Sequence, residues 1–589
     1  MKREQVENRY KWNLDSVLRE SDWEKEFDRL SSLKDSLLKY KGKLNDPSEL
    51  LRCFQEENAI GSSLENLYVF SKMKQDENTA DPVSQNRVGR VRTLSSEISS
   101  SSSFITPEII ASYGEAELIS LADDPRFSDY SYLLTELARN RKRYLSDKEE
   151  RILAKAHQIA DGYQNAFTMF DNADVKFRDV KNEKGETVKL THGVYSELLM
   201  SPDRRVRRDA YESMFGAYKE MINTVGALYL GNLEKDEFFA YFRGYNSALE
   251  MAMDSENVSV SAYDHLLESV NGAIPVLKQY LEIRKKKLGV EKLTMYDLHV
   301  PITPNADLRL SYEDAYELVI KALSCLGDDY VSLLKKARDE NWIDVYETEN
   351  KRSGAYSWGT YTSHPYVLLN YKETTHDVFT IAHELGHAMH SYKSNAAEPY
   401  AKAGYEIFVA EIASTVNEML LFRYLLKEGK ADRGYLLSYL ADMFRTTFFR
   451  QTMFAEFEKA AHEMVEKNGT ATPEELSDVY AALNDKYYGE SLTDDLIRYE
   501  WARIPHFYNS FYVYKYATGI VSAAAISKDI FEGKEGALDG YMRFLSLGGS
   551  MPPLKILECA GVDLTTSEPF EKATAFMKEA IEELASYEG

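Results

Sequence analysis

The chain has 589 residues, 44% of them hydrophobic, enough for large cores and for two or more domains or lobes. A formal net charge of −24 argues against nucleic acid as a partner, because phosphates would be repelled. No apolar run approaches the ~18 residues of a membrane-spanning helix, the start MKREQVENRYKWNLD lacks the apolar centre of a signal peptide, and Cys53, Cys325 and Cys559 form no metal or redox spacing, which together predict reduced core cysteines, no membrane partner and a cytoplasmic location.

Most of the chain reads as amphipathic helix. Ser21 and Glu24 have the spacing of a capping box, and Trp23, Phe27, Leu30, Leu33 and Leu37 follow at helical intervals. Residues 48–75, 83–103, 108–122 and 128–170 read the same way, with the serine run Ser99–Ser103 as a helix end. Over residues 175–191, VKFRDVKNEKGETVKLT, alternation returns on both sides of Lys184-Gly185 and signals a hairpin. It closes an N-terminal helical region, 1–190, and leaves 191–589 as a second region. Arg204, Arg205, Arg207 and Arg208 stand between Ser-Pro-Asp and an apolar-periodic stretch, which makes them a solvated first turn and helix face. Residues 354–371, GAYSWGTYTSHPYVLLNY, alternate aromatic and β-branched side chains as strands do. An edge strand there would grip an extended peptide through its backbone, without regard to sequence.

Residues 381–390 read IAHELGHAMH. On a helix, His383 and His387 lie one turn apart on one face and can offer two nitrogens to one Zn²⁺ ion. Glu384, beside the first histidine, can reach a water on that ion without displacing a ligand. His-Glu-x-x-His is the pattern of a zinc peptidase. Five of the chain's 11 histidines fall within residues 364–390, among apolar flanks, and buried imidazoles need partners. Thr374 with Asp377 marks the helix start. His390 lies too far along the axis to share the ion with both others and is read as a supporting or packing residue. A third histidine six residues after His387 is excluded, because Lys393 is there.

The third ligand is sought in residues 405–420, YEIFVAEIASTVNEML, which have helical periodicity. Glu411 stands among Ile407, Phe408, Val409, Ala410, Ile412 and Ala413, where a carboxylate needs a partner. Glu406, nearer the helix start, is the alternative. Glu418, seven residues on, is placed to accept a hydrogen bond from a ligating histidine. Further on, HFYNSFYVYKY (506–516) crowds one histidine and four tyrosines into one segment. Gly548-Gly549-Ser550 begins a turn and is assigned no chemistry.

These motifs combine into a resemblance. HELGHAMH, followed 24 residues after His387 by Glu411 within FVAEIASTVNE, occurs with YKWNLDSVL (10–18), YDLHVPI (296–302), KRSGAYSWG (351–359) and PHFYNSFYVYKYATG (505–519). Over almost its whole length the chain resembles the thimet-oligopeptidase-like metallopeptidases, and most of all their bacterial branch, oligoendopeptidase F. The resemblance implies a mainly α fold with a deep substrate cleft, a small β element beside the zinc helix, and residues 191–589 as the catalytic region. It implies one zinc held by His383, His387 and Glu411, with Glu384 as general base, and short oligopeptides as substrates. It also implies that His506 and one of Tyr508, Tyr512 and Tyr514 bind the substrate carbonyl and stabilise the oxyanion. A zinc carboxypeptidase and a non-catalytic peptide-binding protein remain the alternatives.

Overall fold

Where the sequence supplies a cap, a helix begins. Asp46 and Asp81 each accept a backbone N–H and each precede a proline, which is suited to the first helical position; helices Pro47–Glu77 (α1) and Pro82–Ser102 (α2) follow and pack on each other. The second ends within the serine run, as its composition predicts. In the computed structural model, which describes residues 1–303 and 308–587, helix is the dominant element and strands are few and short. The mainly α expectation holds. Among the described residues no helix is long and apolar enough to cross a membrane.

The chain forms two compact units, each assembled from three stretches. Unit 1 comprises Met1–Tyr144, Asp307–Lys427 and Ile526–Val562; unit 2 comprises Leu145–Ala306, Glu428–Ala525 and Asp563–Gly589. A division at residue 190 describes order along the chain, whereas the units interleave stretches from both sides of it.

The strands are β1 (Val180–Lys181), β2 (Thr187–Val188), β3 (Ile343–Asp344), β4 (Tyr356–Trp358) and β5 (Tyr366–Leu368). In unit 2, β1 and β2 form the hairpin expected around Lys184-Gly185; Gly185 takes the φ of +79° that its turn requires. In unit 1, β5 is central, parallel to β3 and antiparallel to β4, with Tyr356 opposite Leu368 and Trp358 opposite Tyr366. This leaves β4 as an edge. Tyr366 and Leu368 turn into the core of unit 1 with Trp12, Trp23 and Phe54. Unit 2 packs helices Ile222–Phe242, Val260–Leu288, Arg450–Asn468 and Pro473–Tyr488 around buried tyrosines and phenylalanines.

Several local expectations need correction. Ser21 and Glu24 form no capping box: Glu20–Asp22 is a 3₁₀ turn, the helix starts at Trp23, and the Glu24 carboxylate is taken at 2.9 Å by both terminal nitrogens of Arg90. Residues 108–122 are two helices, because Tyr113 is extended and the Glu117 side chain caps a new start at Gly114. Residues 128–170 likewise divide, with Ser146 and Glu149 closing a capping box. Of the arginine cluster, Arg207 is buried, not solvated, and donates to Asp297 at 2.7 Å. Only Cys53 is a core cysteine; Cys325 and Cys559 are half-buried, and all three are free thiols.

Candidate metal centre

The site is built on two helices of unit 1, Thr375–Ala397 (α3) and Ile407–Glu428 (α4). Thr374 and Asp377 cap α3 reciprocally, as predicted. The α3–α4 contact is close because Gly386 has no side chain: a Cβ there would lie 2.5 Å from Ser414 Cα and 2.6 Å from the Ala413 carbonyl oxygen. Asn417 locks the pair, donating to the Ala382 carbonyl at 3.0 Å while accepting from Tyr330.

This packing brings His383, His387 and Glu411 together, with one donor atom from each within 4.8 Å of the others. Glu411 Oε2 lies 3.5 Å from His383 Nε2 and 3.4 Å from His387 Nε2. Ligands about 2.1 Å from a tetrahedral zinc are about 3.4 Å apart along each edge, so these spacings suit such an ion. Glu418 Oε1 sits 2.6 Å from His383 Nδ1, which directs Nε2 of that ring at the shared point. Burial works against charge on His383, yet the Glu418 hydrogen bond and the neighbouring carboxylates raise it to about 9. Burial would also raise Glu411, but the two imidazoles hold it down to about 2. Two imidazoles and a carboxylate arranged this way are a donor set for a divalent cation. Glu406, the alternative ligand, is exposed at the foot of α4 and is not part of the cluster.

Glu384 is buried, and burial pushes its carboxyl above the usual range. It lines a cavity of about 850 Å³ together with the three cluster residues, the edge strand β4 and Tyr405. Among the described residues, no lysine or arginine lines this wall. His390 resolves as a packing residue. It is fully buried, stacks on Tyr405 at 3.8 Å, and is lowered by burial to about 3, so it stays neutral. The Gly548-Gly549 turn does have a role, because it packs on the segment that bounds the cavity: Gly549 N–H donates to the Lys402 carbonyl at 2.7 Å.

The aromatic segment belongs to unit 2. Tyr508 is buried and stacked on Phe167; Tyr514 is buried with its hydroxyl on Glu256. Neither matches the expectation of a substrate-facing hydroxyl. His506 is exposed, Tyr512 is half-buried, and their rings lie 6.3 Å apart. Tyr516 joins them, its hydroxyl 3.5 Å from His506 Nε2 and its ring 5.5 Å from Tyr512. Sequence reasoning did not single out Tyr516; it lies in the first turn of helix Tyr514–Phe531, whereas Tyr512 precedes that helix.

Known proteins resemble this chain over most of its length. Residues 197–576 match the profile of Peptidase family M3, and residues 110–177 that of Oligopeptidase F. The Bacillus subtilis Oligopeptidase PepF is 36% identical over 587 residues, 99% of this chain and 88% of its own length. The Borreliella burgdorferi Oligoendopeptidase F homolog is 40% identical over 83% of each chain. The crystal structure of oligoendopeptidase-F from Enterococcus faecium superposes with a TM-score of 0.73 at 33% identity, covering 96% of this chain and 98% of that one.

Proposed function

The chain belongs to Peptidase family M3 and is thus a metalloendopeptidase, and we propose that it is a zinc-dependent oligopeptidase that hydrolyses internal bonds of short peptides. The observation that carries the reading is the His383–His387–Glu411 donor triangle beside a buried Glu384 at the wall of a large cavity. His383, His387 and Glu411 would hold the zinc, with Glu418 fixing the His383 ring. When bound there, zinc supplies Lewis acidity and lowers the pKa of water to about 7. Glu384 takes the proton from the attacking water and passes it to the leaving amine nitrogen. The outer strand β4, which lines the cavity, aligns the peptide backbone by strand addition. By the resemblance to the family, His506 and a tyrosine of its segment are the groups that donate hydrogen bonds to the carbonyl oxygen as its charge grows. Internal cleavage, and not a carboxypeptidase activity, is supported by the membership of Peptidase family M3 and by the oligopeptidase relatives.

The test is mass spectrometry of products from a mixed pool of end-blocked peptides, with metal analysis of the same sample and a stable folded protein as competitor. Internal cuts in short peptides, lost with chelator and restored by zinc, are expected. Release of single C-terminal residues, or efficient cleavage of the folded protein, would overturn the reading.

A further inference from the structure

Residue 511 is a phenylalanine in the left-handed region, with φ of +59°. A bulky side chain there is an outlier that persists only when its surroundings enforce it. The contacts that do so come from within unit 2. The Phe511 N–H donates to Glu458 Oε1 at 2.9 Å. The Phe511 ring lies against His462, centroids 4.4 Å apart. Next to it, Ser510 Oγ donates to Asp236 Oδ2 at 2.5 Å, and His462 Nε2 is 3.2 Å from the same oxygen. Asn232 donates to the Phe507 carbonyl and to Ser510, each at 3.2 Å.

The supports come from two helices in matching fashion. Asn232 and Asp236 are one turn apart on Ile222–Phe242, and Glu458 and His462 are one turn apart on Arg450–Asn468. Each pair presents one face to the loop. Glu458 is the costliest of them. It is fully buried, burial pushes its carboxyl well above the usual range, and among the described residues its Oε2 has no hydrogen-bond partner. Its one side-chain hydrogen bond goes to the strained residue. A carboxyl kept at that cost for a single N–H is a device for holding backbone, not for stabilising a core.

What the held backbone does is set direction. His506 precedes the strained turn and Tyr512 and Tyr516 follow it, so the conformation of residue 511 decides whether their rings meet. We propose that Glu458, with Asp236 and His462, holds Phe511 in its left-handed conformation, and that these are positioning residues for the His506–Tyr512–Tyr516 cluster. The inference rests on the proposed role of His506.

The experiment uses the full, zinc-loaded chain and an internally quenched peptide, reading kcat, KM, zinc content and melting temperature. Glu458→Gln keeps an acceptor for the Phe511 N–H and should stay within about threefold of wild-type kcat, whereas Glu458→Leu removes it and should lose about 10- to 100-fold, because a misplacement of about 1 Å can cost that much. KM should stay within about twofold and zinc content should not change, since neither substrate grip nor ligands are touched. In the Phe511→Gly background the effect of Glu458→Leu should shrink to about threefold or less, because glycine adopts φ > 0 unaided. Ser510→Ala, which removes almost no volume, should lower kcat by about 3- to 10-fold and is the deciding variant if Glu458→Leu does not fold. Wild-type kcat in both Glu458→Leu and Ser510→Ala, or equal losses in Glu458→Gln and Glu458→Leu, would overturn the proposal. His506→Ala is run in parallel: if it retains wild-type kcat, the role of the segment falls and the positioning proposal with it.

Discussion

At the scale of single residues, the proposed ligands, base and supporting carboxylate of the candidate centre lead to separate predictions. Glu384 lies outside the donor triangle, so Glu384→Gln should retain zinc while kcat falls by about 10²–10⁴-fold, the usual worth of a positioned acid–base group. Metal analysis beside turnover checks this, and zinc lost in step with activity would make Glu384 a ligand. Glu411→Ala should strip zinc and Glu406→Ala should not, because only Glu411 lies within reach of both imidazoles. Glu418→Ala leaves the ligands in place but frees the His383 ring, and should weaken zinc about 10- to 100-fold in a competition titration. Much of this was legible in the sequence. Two histidines four apart, and a carboxylate flanked by apolar residues, carry their geometry with them once a helix is assumed. The aromatic segment was not legible in the same way. Tyr508, Tyr512, Tyr514 and Tyr516 look alike in a sequence, yet the structure buries Tyr508 and Tyr514 and not Tyr512 or Tyr516, around a turn in which residue 511 has a φ of +59°. Glycine would have announced that turn, and phenylalanine conceals it.

At the scale of elements, the close approach of the two helices that carry the candidate donor set is the determining feature. Gly386 lies between Glu384 and His387, and its missing side chain lets α3 meet the backbone of α4 at Ala413 and Ser414. Gly386→Ala would place a methyl within 2.6 Å of that backbone, which cannot yield as a side chain could. The helices must separate, and overpacking of this kind costs about 1–3 kcal/mol. Because His383 and His387 sit on one helix and Glu411 on the other, the same shift should lengthen the donor triangle. Gly386→Ala is therefore expected to lower both melting temperature and zinc affinity, while Gly193→Ala, where a Cβ meets nothing within 4 Å, should change neither by as much. Full zinc affinity in Gly386→Ala would show that the cluster tolerates a wider helix pair. Elements were legible where the cap and its partner are neighbours in sequence, as at Thr374 and Asp377. They were misread where a distant group competes, as at Glu24, whose carboxylate is claimed by Arg90 from another helix.

At the scale of the whole molecule, helical periodicity made the fold class readable, but the interleaving of the two units was not. Unit 1 joins stretches that lie hundreds of residues apart, and contact between them leaves no local pattern to read. Net charge needs no fold to be read, and it leads to the last prediction. The chain carries −24 formal charges, and the cavity wall beside the donor triangle contains glutamates but no lysine or arginine. A negative field focused at a concave wall raises the encounter rate of cationic ligands and lowers that of anionic ones. The effect should be screened as the Debye length falls from ~10 Å at 0.1 M salt to ~3 Å at 1 M. For peptides matched in length and differing only in a lysine, a glutamine or a glutamate away from the cut bond, kcat/KM at low salt should run in that order. Raising the salt should lower the lysine peptide by about 3- to 10-fold, raise the glutamate peptide, and leave the glutamine peptide within about twofold. The change should lie in KM, because the field acts on encounter and not on the proton transfers through Glu384. If all three peptides respond to salt alike, the charge serves solubility alone, and selection among peptides is made by contacts along β4.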